Sequence, residues 1–132
     1  MDNNTVGING YANLLQQINS LLNITLPEIK NKYRDYPHCL IDYFEKDVTE
    51  KSIEIRFDKE EYTITCVFNK EGKCNIVYLF PDENETIEKC ITYFKETYDY
   101  NFIKNRWKAS DFYIKIKELT PSSNDICCMF FS

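Results

Sequence analysis

The sequence predicts one α+β domain: N-terminal helices, then a mainly antiparallel sheet of five or six strands with one helix (about 85–98) packed on a face. Three observations predict it. Apolar residues recur at helical spacing from Ile8 to Leu22. After Ser52 the period changes to strict alternation, broken by short polar connectors of hairpin length. A single helical stripe, Ile87, Ile91, Phe94 and Tyr98, interrupts the alternating stretches. The 132 residues therefore divide into a helical part over 1–50 and a βββαβββ part over 51–132 of one domain.

In the first segment Ile8, Tyr11, Leu14, Leu15, Ile18, Leu21 and Leu22 line one face, with Asn and Gln opposite. One such segment is too short for a coiled-coil seam, so this helix docks on the core. A second short helix opens at Leu26-Pro27-Glu28, with Thr25 as N-cap and Pro27 in the first turn, where its missing N–H costs nothing. It stops before Tyr36-Pro37, and a third helical piece is expected over 38–44.

Three strands follow as a meander. Ile53, Ile55 and Phe57 alternate with Glu54 and Arg56; Tyr62, Ile64, Cys66 and Phe68 follow; then come Cys74, Ile76, Tyr78 and Phe80. Gly72 suits a left-handed position closing the second connector. Pro81 to Glu85 opens the helix, with Asp82 and Glu85 at capping-box spacing and Asn84 as a rival cap. Residues 102–109 and 111–119 then read as strands, and 120–124 as a loop. The apolar run Ile126–Phe131 reads as a central strand buried on both faces.

Composition narrows function. The hydrophobic content of 43% and charged content of 28% are those of a globular protein. No apolar run is long enough for a membrane span, and the N-terminus lacks a secretory pattern, so the expected location is cytoplasmic, with no membrane partner. The cysteines Cys39, Cys66, Cys74, Cys90, Cys127 and Cys128 have no zinc-ligand spacing and fall on strand and helix faces. They are expected to be reduced, as small buried hydrophobes without metal.

The net charge is −5, and residues 41–100 concentrate it, with 15 acids against eight bases. Nucleic acid is accordingly not the expected ligand, because phosphate contacts dominate such binding. Residues 101–132 carry five bases against three acids.

No catalytic set emerges, and no cofactor or metal is expected. His38 stands beside Cys39, but adjacent residues rarely face one another, so a Cys–His nucleophile pair is disfavoured. The carboxylate clusters (Glu45, Asp47, Glu50; Asp58, Glu60, Glu61; Asp82, Glu83, Glu85, Glu88) lack calcium-loop spacing and are interleaved with lysine. They read as solvated turns and helix starts that a basic partner can also grip.

The basic residues Lys104, Arg106 and Lys108, with Lys115 and Lys117 on the next strand, fall on one sheet face beside Tyr113. Pairing with acids such as Glu54 on neighbouring strands is preferred over a patch for an acidic protein or single-stranded nucleic acid. Trp107 faces the core. Tyr33, Tyr36, Tyr43, Tyr98 and Tyr100 lie at helix ends and loops, where tyrosine serves binding surfaces. The candidate protein-binding residues are Asp58, Glu60, Glu61, Asp82, Glu83, Glu85, Glu88, Tyr98 and Tyr100.

In size, acidity and element order the chain resembles the immunity proteins that accompany bacterial polymorphic toxins, including those of contact-dependent growth inhibition. The resemblance rests on no diagnostic motif and carries over no residue. It implies an inhibitor, not an enzyme, that binds a cognate toxin domain, for example a nuclease, and occludes its active site. Two other classes remain open, a secretion-effector chaperone and a small ligand-binding or enzymatic α+β domain. An apolar final strand where such chaperones end in a helix counts against the first, and the missing polar machinery counts against the second.

Overall fold

In a computed structural model, residues 8–41, 51–118 and 126–132 are described. Two helices come first, α1 (Ile8–Leu21) and α2 (Leu26–Lys32). Strands β1 (His38–Ile41), β2 (Ser52–Phe57), β3 (Tyr62–Phe68) and β4 (Cys74–Pro81) follow, then α3 (Asn84–Thr97). Strands β5 (Asp99–Asn101), β6 (Arg106–Lys108), β7 (Tyr113–Glu118) and β8 (Ile126–Phe131) complete the chain. The fold is α+β with one antiparallel sheet, as the alternation predicts, but the described residues contain eight strands where five or six were expected.

The sheet order is β1-β2-β3-β4-β8-β7-β6-β5. It consists of two four-stranded meanders joined where β4 pairs with β8, Leu79 opposite Cys128 and Ile76 opposite Phe131. The apolar run of β8 is thus central, with partners on both sides. Register assigns the faces. Ile53, Ile55, Phe57, Ile64, Cys66, Phe68, Val77, Leu79, Ile114, Cys128 and Phe130 point to the side on which α1 and α3 pack and are buried there.

Helix α1 contributes Tyr11, Leu15, Ile18 and Leu21 to this core, Leu22 follows just after it, and α3 contributes Ile87, Cys90 and Phe94. Trp107 is buried among them, as its alternation implied. Cys127 points to the opposite face, where it packs with Val67 and Tyr78 in a second apolar cluster. Cys127 and Cys128 therefore serve different layers, as adjacency in a strand requires.

Local chemistry explains most boundaries. Thr25 caps α2: its hydroxyl accepts from the Glu28 amide, and Glu28 Oε1 accepts from the Thr25 amide at 3.0 Å, a complete capping box. The α1–α2 turn is tied to β4 by Asn23 N to Cys74 O (2.7 Å) and Cys74 N to Ile24 O (2.8 Å). Gly72 adopts φ +80°, the left-handed conformation that closes the β3–β4 connector.

Three expectations are corrected. The helical piece at 38–44 is, over His38–Ile41, a strand: the open edge of β2 recruits it, and Arg56 N bonds Pro37 O at 2.8 Å. Residues 42–44 lie outside the described residues, as do Glu45, Asp47, Glu50 and the loop 120–124. The strand expected at 102–109 is present only as β6: residues 102–105 are a turn, which joins β6 to β5 at Asp99–Asn101. Asn101 Oδ1 accepts from both the Ile103 and Lys104 amides at 3.0 Å, and Asn105 takes φ +54°, which breaks the extended run. The strand expected at 111–119 is present, over Tyr113–Glu118. The N-cap of α3 is Glu83, without a side-chain cap bond, because the Asp82 carboxylate is engaged by Arg56.

Candidate functional site

Two acidic clusters that are separate in sequence become one surface. The β2–β3 turn (58–61) and the β4–α3 junction (82–85) lie side by side, tied by Asp82 N to Glu61 O at 3.0 Å. Arg56 sits between them. Its guanidinium holds Asp82 with two bonds (Nη1–Oδ1 2.7 Å, Nη2–Oδ2 2.6 Å) and Asp58 with a third (Nε–Oδ1 2.9 Å). The bonds from Arg56 hold the Asp82 carboxyl below its ordinary range, and the same bonds raise the Arg56 guanidinium.

Around this clamp Glu60, Glu61, Glu83, Glu85 and Glu88 are exposed. Glu85 shares its charge with Lys89 at 3.6 Å, one helical turn away. Glu61 adopts φ +61°, a left-handed conformation that side chains other than Asn and Gly rarely take. The sheet thus brings together Asp58, Glu60, Glu61, Asp82, Glu83, Glu85 and Glu88, with Arg56, Lys59 and Lys89 as the interspersed cations.

Tyr98 and Tyr100 do not join them. Tyr98 follows α3 at its other end, about 20 Å along the axis from the acidic first turn. It is half-buried against Tyr93, and burial raises its phenol. Tyr100 is half-buried, its ring 4.9 Å from Trp107 and 5.0 Å from Phe102. Of the other tyrosines singled out, Tyr33 is a core residue against Phe57, Tyr36 is exposed, and Tyr43 lies outside the described residues.

The basic residues share a face as predicted, with one exception: Lys104 belongs to the 102–105 turn. Arg106, Lys108, Lys115 and Lys117 project from the face opposite the helices. Arg106 stacks on Tyr113 at 3.8 Å, and Lys117 reaches the Tyr78 hydroxyl at 3.4 Å. The expected pairing with Glu54 is not formed. Glu54 lies on β2, opposite Thr65, with β3, β4 and β8 between it and β7.

The feature missed from sequence is the tip of the β5–β6 hairpin, where Phe102 and Ile103 are 83% and 93% exposed. The bracketing Asn101 and Asn105, both turn formers, were the available signal.

Among the described residues no catalytic set assembles around His38. Its ring lies on the exposed β1, Nδ1 is 2.8 Å from Tyr36 O, and strand alternation turns Cys39 to the other face. Cys66, Cys74, Cys90, Cys127 and Cys128 are buried, and only Cys39 is exposed. Bonding to Cys90, then burial, push the Cys128 thiol well up; bonding to Cys74, then burial, do the same for Cys66. Among the described residues no group of three or more His, Cys, Asp or Glu could hold a metal ion, and no helix is long and apolar enough to cross a membrane. Compared with protein-family models, curated proteins and solved structures, the chain matches none.

Proposed function

We propose that this chain is a stoichiometric inhibitor of the immunity type, which binds a cognate toxin domain in the cytoplasm and occludes a basic active cleft without turning over a substrate. The observation that carries the reading is the union of the 58–61 and 82–88 acids into one patch around Arg56. A surface of this kind steers a basic partner by long-range attraction and fixes its orientation on arrival. Glu61 supports it, since the chain adopts an uncommon left-handed backbone at a position that presents a carboxylate. Nuclease-type clefts are basic because their substrates are polyanions, so an acidic occluding surface complements that partner class.

The test begins with pull-down of the native partner and identification of a toxin domain in it. Association is then followed by stopped flow across a salt series. Reversing Glu60, Glu61, Glu83 and Glu88 to lysine should slow association by one to two orders of magnitude at low salt and flatten the salt dependence, with the fold intact. Unchanged rates and salt dependence would remove the patch from the interface. Turnover of a small substrate by the purified protein would overturn the inhibitor reading itself.

A further inference from the structure

The β5–β6 hairpin tip is unlike the rest of the described surface. Phe102 and Ile103, adjacent in the turn, are exposed at 83% and 93%, far above the other large exposed apolar residues among those described, Tyr36 at 41% and Leu40 at 50%. The turn is held from within. Asn101 Oδ1 takes the Ile103 and Lys104 amides, Asn105 supplies the left-handed corner, and the Tyr100 hydroxyl lies 3.4 Å from Asn105 Oδ1. The hairpin, residues 99–108, contains Lys104, Arg106 and Lys108 against one carboxylate, Asp99, which lies opposite Lys108 on the paired strand, in a chain whose net charge is −5. Lys115, on the adjoining strand, faces the same side as Arg106 and Lys108.

We propose that this tip is a peripheral membrane contact: Phe102 and Ile103 enter the interfacial region of an anionic lipid surface while the surrounding cations meet the headgroups. Charge complementarity argues for that occupant. Apolar side chains next to Lys104 in the turn, with Arg106, Lys108 and Lys115 on the adjoining strands outnumbering Asp99, suit a surface whose outer layer is anionic and whose inner layer is hydrocarbon.

The internal bonding of the turn favours lipid over a protein pocket. A pocket can supply acceptors to incoming amides, whereas hydrocarbon supplies none, and the Ile103 and Lys104 amides arrive already satisfied. Tyr100, packed behind Phe102, adds a half-buried aromatic ring with a polar end, the kind of group that settles at headgroup depth. The expectation of no membrane partner followed from the lack of a spanning segment, which a peripheral contact does not need. The proposal is independent of toxin binding, because the acidic patch lies on the other meander and the start of α3.

The probe is co-sedimentation with vesicles of phosphatidylcholine alone and of phosphatidylcholine containing one-third phosphatidylglycerol. The full chain should bind the second, bind the first far less, and be released by salt. The double substitution Phe102→Ser, Ile103→Ser should cut the partition coefficient by about tenfold or more, with the thermal midpoint unchanged because both side chains are solvent-exposed. Lys104→Gln with Lys108→Gln should cut it roughly fivefold per charge and weaken the salt dependence.

Failure of the wild type to sediment with anionic vesicles overturns the proposal, as does binding that survives the serine substitutions. Equal binding to both vesicle types overturns the anionic assignment. If vesicles are ignored while the serine variant loses affinity for a captured protein, the tip is a protein anchor and the lipid proposal falls. None of these results alters the charge-reversal test of the acidic patch.

Discussion

Replacing Phe94 with alanine tests whether α3 closes the core across the joined meanders. Phe94 is 2% exposed, and its ring centroid lies 5.5 Å from Trp107 on β6 and 6.2 Å from Phe130 on β8. Both strands belong to the second meander, and β8 is the one that joins the first. Truncation removes the burial of a phenyl ring and leaves a cavity bounded by a helix and a sheet, neither of which can collapse freely; the cost is about 3–5 kcal/mol. Folded domains are stable by only about 5–15 kcal/mol, so much of the stability is at stake.

For 132 residues the unfolding entropy is about 0.28 kcal/mol per kelvin, which converts that loss to a fall of about 11–18 °C in Tm. The assay is urea unfolding followed by Trp107 emission, which is unambiguous because the chain has one tryptophan. Thr92→Ala, on the exposed side of the same helix, is the control and should stay within about 0.5 kcal/mol of wild type. A loss below about 1 kcal/mol for Phe94→Ala at unchanged m would refute the reasoning, because no phenyl ring held between helix and sheet comes out so cheaply.

Three further outcomes are expected. Arg56→Met should flatten the acid limb of stability: the lowered Asp82 carboxyl contributes stability that is present above its unfolded value and lost as pH falls through the folded one, so the Tm difference between wild type and variant should begin to shrink below about pH 4 and close only once the pH is below the folded Asp82 value. Thr25→Ala removes one half of the α2 capping box and should cost about 0.5–2 kcal/mol in urea titration. Under native conditions Ellman's reagent should modify Cys39 rapidly and the five buried cysteines only as the protein opens, with all six reacting in denaturant; fast reaction of more than one thiol in the native state would contradict the burial.

What could be read from the sequence is what local chemistry dictates. Helix α1, the Thr25 cap, the β2–β4 meander, Gly72 and the apolar stripe of α3 each carry their own period or turn residue, and each is where the pattern puts it. The central position of β8 followed from its unbroken apolar run. Two short strands, β1 and β5, were not legible. His38–Ile41 is too brief for a period and is extended because β2 offers an open edge. β5 lies ahead of the alternation from Phe102 to Ala109; that alternation does hold β6, but its first residues form a turn because Asn101 and Asn105 bend the chain. The same error concealed the apolar tip, since a reading that placed Lys104, Arg106 and Lys108 in one strand left Phe102 and Ile103 as ordinary strand residues.

The acidic site shows how sheet order changes the meaning of a charge cluster. In sequence Asp58, Asp82 and the glutamates are equivalent acids on turns. In the fold Arg56, which the alternation placed on the solvent face of β2, reaches across Thr63 to Asp82 and back to Asp58. Two of the seven carboxylates are thereby taken up in fixing the turn and the start of α3, and Glu85 is partly answered by Lys89. The charge left to face a partner is that of Glu60, Glu61, Glu83 and Glu88. Substituting Asp82 would perturb the clamp and the field together, so a slowed association could not be assigned to either. Substituting the four glutamates changes the field while the clamp stays, and the rate then reports the surface alone.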